Sequence, residues 1–534
     1  MKIKKGLIVA ILATFCLAVT LFATVPTRSQ SGVYNPWCDM NDDGIVDYRD
    51  INQVARIFGT SGTPLTKASV EYDSGWIDIT DIAGQNITIT HGLNITDWND
   101  ESIDLSIIGK TSPEGELQRY AGLTGQIQGW NKTYGGTGDD VADALVQTSD
   151  GGYALAGYTN SFGAGGYDFW LVKTDASGNA QWNKTYGGTN DDFALDFVQT
   201  SGGGYALAGY TRSFGVSDAD AWLVKTDEFG NMQWNKTYGG AGYEFLDTIV
   251  QTGDGGYALA GCTTSFGAGY FDFWLVKTDA SGTMQWNITY GGTNSDIALA
   301  LVQTSGGGYA LAGYTNSFGA GGYDFWLVKT DASGNAQWNK TYGGTGDDVA
   351  DALVQTSDGG YALAGSTSSF GAGGYDFWLV KTDASGNAQW NKTYGGTGDD
   401  VADALVQTSD GGYALAGYTK SFGAGSHDFW LVKTDSAGNA QWNKTYGGTS
   451  MDYATALVKT VDGGYALAGY TRSFGVGLND FWLVKTDASG NVGGFESGLA
   501  WIDSSANTVT LYRGATDAYW NYVRVRVWKV KESP

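Results

Sequence analysis

Tryptophan recurs at Trp130, Trp182, Trp234, Trp286, Trp338, Trp390 and Trp442, an unbroken spacing of 52 residues. One unit reads Trp-Asn-Lys-Thr-Tyr-Gly-Gly, an acidic loop, Ala-Leu-Val-Gln-Thr, a Gly-rich turn, Gly-Tyr-Ala-Leu-Ala-Gly, a second loop, Asp-Phe-Trp-Leu-Val-Lys-Thr-Asp and Ala-Ser-Gly-Asn. These are four strand-length runs separated by Gly, Asn and Asp turns, and none has helical period. A unit of this length with four strands cannot bury its own apolar surface and must stack on its neighbours. Seven such units over residues 130–493 predict an all-β, seven-bladed β-propeller.

Side-chain size supports this reading. The first two runs are rich in small residues, such as Ala142, Ala144, Ala154, Ala156 and Gly157, and the last two carry Phe169, Trp170, Trp182 and Tyr186. Small residues near an axis and large ones at the rim suit a tapered wedge. The ends of the array predict how the ring closes. After Asn491 the seventh copy reads Val-Gly-Gly-Phe-Glu where the others read Trp-Asn-Lys-Thr-Tyr. That strand occurs once without a partner unit, at Trp130–Tyr134. It is predicted to complete the blade formed by residues 454–487, leaving no open sheet edge.

Composition narrows the function classes. The chain holds 56 acidic and 31 basic residues, a net charge of -25, which repels phosphate backbones and argues against nucleic acid as a partner. Its three cysteines, Cys16, Cys38 and Cys262, do not make a disulfide framework. Two histidines, His91 and His427, leave little for His-based nucleophilic catalysis or a zinc site. Three lysines within Met1–Lys5 precede an uncharged run from Gly6 to Val25. Residues 1–30 read as an export signal, either cleaved or retained as an anchor, and either form places the rest outside the cell. Membrane association is expected through this segment alone.

Residues 39–50 read Asp-Met-Asn-Asp-Asp-Gly-Ile-Val-Asp-Tyr-Arg-Asp. Oxygen-bearing side chains fall at loop positions 1, 3, 5, 9 and 12, namely Asp39, Asn41, Asp43, Asp47 and Asp50, and Ile45 offers its carbonyl at position 7. Gly44 allows the sharp turn. This is the ligand schedule of an EF-hand-type loop, so calcium is the expected cofactor. Ile51, Val54, Ala55 and Phe58 then recur at helical spacing. With Asp at the last position and a short helix after Asp-Gly-Ile-Val-Asp, residues 33–63 resemble a dockerin repeat. Dockerins usually carry two loops and this segment carries one; the resemblance implies calcium binding, with the loop stiffening a spacer.

The repeats resemble the seven-bladed propeller units of large secreted archaeal and bacterial surface proteins. Within them, an acid recurs at Asp140, Asp192, Glu244, Asp296, Asp348, Asp400 and Asp452, which predicts either a ring at one mouth of the channel or a loop-orienting residue in each blade. Asp168 and its equivalents open the third strand and are expected to fix turns. Asn-Lys-Thr recurs from Asn131 onward as a glycosylation acceptor. On either side, residues 68–128 and 494–534 alternate as strands do, each with about half a sandwich, and are expected to fold together around the inserted ring. Asp73–Ile79 and the Val-Arg-Val-Arg-Val-Trp run near the end faintly resemble H-type lectin sandwiches. No catalytic residue is singled out, because near-identical blades do not readily supply two carboxyls of split acidity. The expectation is a non-enzymatic extracellular or cell-surface protein presenting its propeller for adhesion or ligand binding, with a carbohydrate or another surface protein as partner. Two alternatives remain, a secreted carbohydrate-active enzyme or its accessory subunit and a structural surface-layer spacer.

Overall fold

The computed structural model describes residues 129–492, together with ten short strands outside that range. Residues 129–492 form one unit and the two flanks form another. In the flanks, Tyr522–Lys529 lies between Ile103–Lys110 and Val70–Asp73, and also pairs with Ile77–Asp78. Thr508–Arg513 pairs with Asn86–Thr90, so strands from before and after the ring share sheets. The calcium-loop residues Asp39–Asp50 and the export segment lie outside the described residues.

The ring has seven four-stranded antiparallel sheets. Blade 1 runs Asp140–Gln147, Tyr153–Thr159, Asp168–Thr174 and Ala180–Tyr186 from the axis outward. Blades 2 to 7 begin in the same way at Asp192, Glu244, Asp296, Asp348, Asp400 and Asp452. The first strands touch one another in a closed circle, which makes them the wall of the axial channel. Blade 7 takes Asp452–Lys459, Tyr465–Thr471 and Asp480–Thr486 from the end of the array and Trp130–Tyr134 from its start, paired Phe481↔Tyr134 through Lys485↔Trp130. The unpaired strand counted in the sequence is thus the strand that closes the ring.

The core lies between blades. Ala154, Ala156, Phe169 and Leu171 of blade 1 meet Ala194, Leu207, Trp222 and Val224 of blade 2. The other face of blade 1, with Leu145, Tyr153, Leu155 and Trp170, meets Ala466, Phe481 and Leu483 of blade 7. Phe169 packs on Trp222 at 4.6 Å between ring centroids, and Phe481 packs on Trp170 at 4.4 Å across the closure. Each fully buried large side chain contributes about 2 kcal/mol, so the junctions carry most of the favourable free energy. Tyrosine hydroxyls pin each fourth strand to the next blade. Tyr134 donates to Gly178 O at 2.6 Å, and Tyr186 donates to Gly230 O at 2.6 Å. The last residue of that turn is a glycine at positive φ (76° at Gly178), under the ring of Trp130, where a Cβ would clash with the indole.

Candidate functional site

The seven acids that open the first strands do not form a ring at the channel mouth. Asp140 is fully buried. Its Oδ1 accepts from Thr159 Oγ1, and its Oδ2 accepts from Ser161 Oγ at 2.8 Å and from Gly136 N at 2.8 Å. Glu244 makes the equivalent bonds to Thr263 Oγ1 and Gly240 N, both at 3.0 Å. These acids tie the loop entering each blade to the loop between its second and third strands, the second of the two expected roles. Asp168 accepts from Ala164 N at 2.9 Å and fixes its own turn. The glycine pair that precedes each acid has a steric cause, since a Cβ on Gly187 would collide with the carboxyls of both Asp168 and Asp192.

A different set of acids faces the axis. Every first strand carries a β-bulge at one position, between Ala142 and Ala144 in blade 1, and the register shifts there in all seven blades. A bulge inserts an unpaired residue and re-aims its side chain. Around the ring that residue is Asp143, Leu195, Asp247, Leu299, Asp351, Asp403 and Thr455. All seven are half-buried beside neighbours that are mostly sealed. Thr455 donates to Ala142 O at 2.7 Å. Burial raises the Asp143 carboxyl well above the usual range, and the Asp403 charge, two blades away, adds to it. Asp351 is raised by burial and by Asp403, and burial raises Asp403 in turn. Burial pushes Asp247 up to about 7. The Oδ2 atoms of Asp143 and Asp247 are sealed and have no hydrogen-bond partner.

Several tyrosine hydroxyls are held up by burial and by these carboxyls. Tyr158 is raised mainly by burial, then by Asp143, Tyr470, Tyr167 and Tyr210. Tyr418 and Tyr470 are raised by burial and feel Asp403, and Tyr470 also feels Asp143. The second-strand position of Tyr158 carries Tyr in five blades, Cys262 in blade 3 and Ser366 in blade 5, so the aromatic circle is broken twice.

The copies differ from one another mainly at this end. Position 139 and its equivalents read Asp139, Asp191, Tyr243, Ser295, Asp347, Asp399 and Met451. Position 160 reads Asn, Arg, Thr, Asn, Ser, Lys and Arg, and position 167 reads Tyr, Ala, Phe, Tyr, Tyr, His and Asn. The structure brings these positions together. Asn479 Nδ2 donates to Asp139 Oδ1 at 2.7 Å, and Arg472 Nε donates to Asn479 Oδ1 at 2.7 Å. Lys420 pairs with Asp399 at 2.7 Å. His427 stacks on Tyr453 at 4.6 Å and meets Tyr418 at 5.0 Å. By contrast, the turn between third and fourth strands keeps one pattern, in which Asp175 Oδ1 accepts from Ser177 N and Asn179 N in blade 1 and its equivalents do likewise. The exchanges at this end are thus the more numerous, while the turn at the other end keeps its hydrogen bonds through its own substitutions, such as Phe229 and Thr283.

Polar groups elsewhere serve the scaffold. Lys173 is nearly buried and pairs with Asp150 at 2.8 Å, and blades 3, 5, 6 and 7 repeat the pair. The Lys277 ammonium and the Thr252 hydroxyl hold Asp254 down at about 2, against its partial burial. In blades 2 and 4 the acid is replaced by Gly202 and Gly306, and burial then lowers Lys225 and Lys329. Trp170 Nε1 donates to Asn183 Oδ1 at 3.3 Å, which gives the repeated sequon asparagine a packing role on an exposed strand. Among the described residues, no three His, Cys, Asp or Glu side chains converge to hold a metal ion, and no helix is long and apolar enough to cross a membrane.

No family model matches the chain. Part of it is similar to the regulatory protein FlaEY of Caulobacter vibrioides, 28% identical over 283 residues, covering 48% of this chain and 27% of that protein. The chain thus spans about a quarter of the length of this curated relative. Among solved structures it is similar to the Pan2 WD40 domain of Neurospora crassa, 11% identical with a TM-score of 0.43, covering 68% of this chain and 97% of that one. It is also similar to Sqt1 of Chaetomium thermophilum, 12% identical with a TM-score of 0.38, covering 76% of this chain and 100% of that one.

Proposed function

We propose that this is a non-enzymatic extracellular or cell-surface protein whose propeller binds a ligand, a carbohydrate in the first instance, at the varied end of the ring. A propeller fold fits a binding or scaffold role. The observation that carries the reading is the concentration at that end of copy-to-copy exchanges among charged, polar and aromatic side chains, at positions 139, 160 and 167 and their equivalents. A symmetric ring offers seven equal surfaces, whereas an asymmetric ligand needs unequal ones. The side chains gathered there include Tyr158, Tyr418, Asp139, Asn160 and Arg472, which supply aromatic faces and hydrogen-bonding groups of the kind that orient sugars. The matched relative is a regulatory protein, which also fits binding more readily than catalysis. In this reading Asp39, Asn41, Asp43, Ile45, Asp47 and Asp50 hold calcium in a spacer, residues 1–30 direct export, and the paired flanks form a sandwich. A glycan-binding screen on the full chain, with and without calcium, tests the proposal. Binding that is lost on replacing Tyr418 and Arg472 with alanine supports it, and no binding in either calcium state removes it.

A further inference from the structure

In five blades a single carboxylate gathers three donors at the turn between the first and second strands. In blade 1 it belongs to Asp150. Its Oδ1 accepts from Thr148 Oγ1 and Gly152 N, and its Oδ2 accepts from Lys173 Nζ. Asp254, Asp358, Asp410 and Asp462 repeat the arrangement. The glycine N–H stands at 3.0–3.2 Å and the ammonium at 2.8–2.9 Å in all five. A hydroxyl, a backbone amide and a cation converging on one carboxylate make a strong cradle, because each hydrogen bond is charge-assisted.

Blades 2 and 4 keep the donors and lack the acid. In blade 4 the donors are Thr304, Gly308 and Lys329, and Gly306 stands where the aspartate would be. The turn keeps its shape without it. Thr304 N donates to Gly308 O and Gly307 N donates to Thr304 O, both at 2.8 Å, as Thr148 N and Gly151 N do in blade 1. Ser305 N donates to Gln355 Oε1 at 2.9 Å, which ties the turn to blade 5. Thr304 is only 4% exposed, and its Oγ1 is sealed with no hydrogen-bond partner. A buried hydroxyl left unsatisfied is destabilising, and the sister blades show that the same hydroxyl is satisfied by a carboxylate. Lys329 retains Thr330 O and Gln337 Oε1 as acceptors, so one N–H of its ammonium remains for the missing partner. A Cβ added at Gly306 would meet nothing within 4 Å, so the position that aspartate fills elsewhere is open. Blade 2 is the weaker copy. Its Thr200 Oγ1 already donates to Gly204 O at 3.1 Å, and Glu228 brings a like charge within 3.9 Å of a Cβ built on Gly203.

We propose that the gap at Gly306 binds a carboxylate from outside the chain, held by Thr304 Oγ1, Gly308 N and Lys329 Nζ, with the gap at Gly202 as a second, weaker site. The occupant is an acidic side chain of a partner polypeptide, because an aspartate side chain is what this cradle accepts five times over. A uronic acid carries the same group on a bulky ring. The chain's net charge of -25 opposes an acidic partner at long range. Physiological salt screens that opposition beyond about 8 Å and leaves the three direct contacts in place. Both gaps lie at the end of the blades opposite the varied loops, so the site stands apart from the ligand site proposed above.

Amide chemical shifts of the isotope-labelled full chain test the idea with N-acetyl-aspartate amide, glucuronate and, as a neutral control, N-acetyl-asparagine amide. The Gly308 amide should shift with the aspartate derivative at millimolar concentration and stay in place with the asparagine derivative. Gly306→Asp supplies the carboxylate from within, as five blades do, and should weaken binding at blade 4 by about tenfold or more while the Tm holds or rises. Lys329→Met should weaken it to a similar extent. Asp358→Gly should open a new site in blade 5, read as a shift of the Gly360 amide on adding the aspartate derivative. No shift at Gly308, an equal shift with the neutral control, or undiminished binding in Gly306→Asp overturns the proposal. A shift with glucuronate alone would overturn the polypeptide occupant.

Discussion

Asp247 provides a quantitative test of the axial carboxyls. It sits at the bulge of blade 3, its Oδ2 has no partner, and burial pushes its carboxyl from 3.8 up to about 7. Between these two values the folded protein holds a proton that the unfolded chain has released. Stability therefore falls as pH rises through this window, and the favourable contribution is fully present only below about 4. One pKa unit corresponds to 1.36 kcal/mol, so three units give an upper figure of roughly 4 kcal/mol, and relaxation with water entering the channel reduces it to about 2–4 kcal/mol. Asp247→Leu removes the titrating group and fits a position that holds Leu195 and Leu299 in sister blades. Urea unfolding at pH 5 and pH 8 measures the effect. The variant should gain about 2 kcal/mol or more over the parent at pH 8, and the gain should shrink toward pH 5. Parallel stability–pH curves for variant and parent would refute the placement of an unpartnered carboxyl on the axis. At the acid end the outer pairs act in the opposite sense. Asp254, held at about 2 by Lys277 and Thr252, contributes stability above about 3.8 that is lost as pH falls toward 2. The propeller is accordingly expected to be most stable between about pH 4 and 6.

Replacing Trp130–Tyr134 with a Gly-Ser linker of equal length removes five paired residues, the Trp130 contact with Tyr153 and the Tyr134 bond to Gly178. At about 1 kcal/mol per hydrogen bond plus about 2 kcal/mol for the indole, the loss approaches the 5–15 kcal/mol margin of a folded domain, and an unchanged Tm by calorimetry would contradict the closure. Gly202→Asp has open space around the new side chain and restores the ion pair with Lys225 that five other blades possess. It should stabilise by about 0.5–1.5 kcal/mol, read as a higher urea midpoint, and a lower midpoint would exclude the pairing. Asp43→Ala should abolish calcium-dependent heat in titration calorimetry of the full chain, and retention of that heat would show that the loop at residues 39–50 does not bind calcium.

Much of the ring could be read directly from the residues. A spacing without insertions sets the blade count, and the one strand left over at Trp130–Tyr134 sets the closure. The axial acids were not legible by the same method, because alternation misplaces them. Counted with period two, Ala142 and Ala144 share a face and Asp143 belongs with Leu145. In the structure Ala142 packs toward blade 7 and Ala144 toward blade 2, because the bulge between them reverses the alternation. A bulge on an alanine-rich strand leaves no mark in composition. An acid stands at position 140 in every copy because it is the loop tie that the fold needs seven times. The signal that would have found the site was the opposite one, a position alternating among Asp, Leu and Thr inside a strand that otherwise repeats.

This contrast bears on how a repeat array can acquire a binding site. Positions that hold a blade together are under the same physical demand in every copy, since six of the seven junctions use the same Phe, Trp and Leu contacts, and the junction of blades 2 and 3 keeps Leu and Trp with Ala221 in place of Phe. A residue that stays constant around the ring is therefore explained by the ring. Arg212 and Arg472 occur at one loop position in blades 2 and 7, His427 in blade 6 alone, and serine replaces the aromatic at position 366 of blade 5. Arg212, Arg472 and His427 lie in the loop between the second and third strands, and Ser366 lies near the end of the second strand that leads into it. The axial bulge extends the same pattern into the channel, where the choice of Asp over Leu lowers stability at neutral pH. Recognition as proposed at this end would draw on residues that depart from the repeat, and the costliest of those departures are the carboxyls of Asp143, Asp247, Asp351 and Asp403.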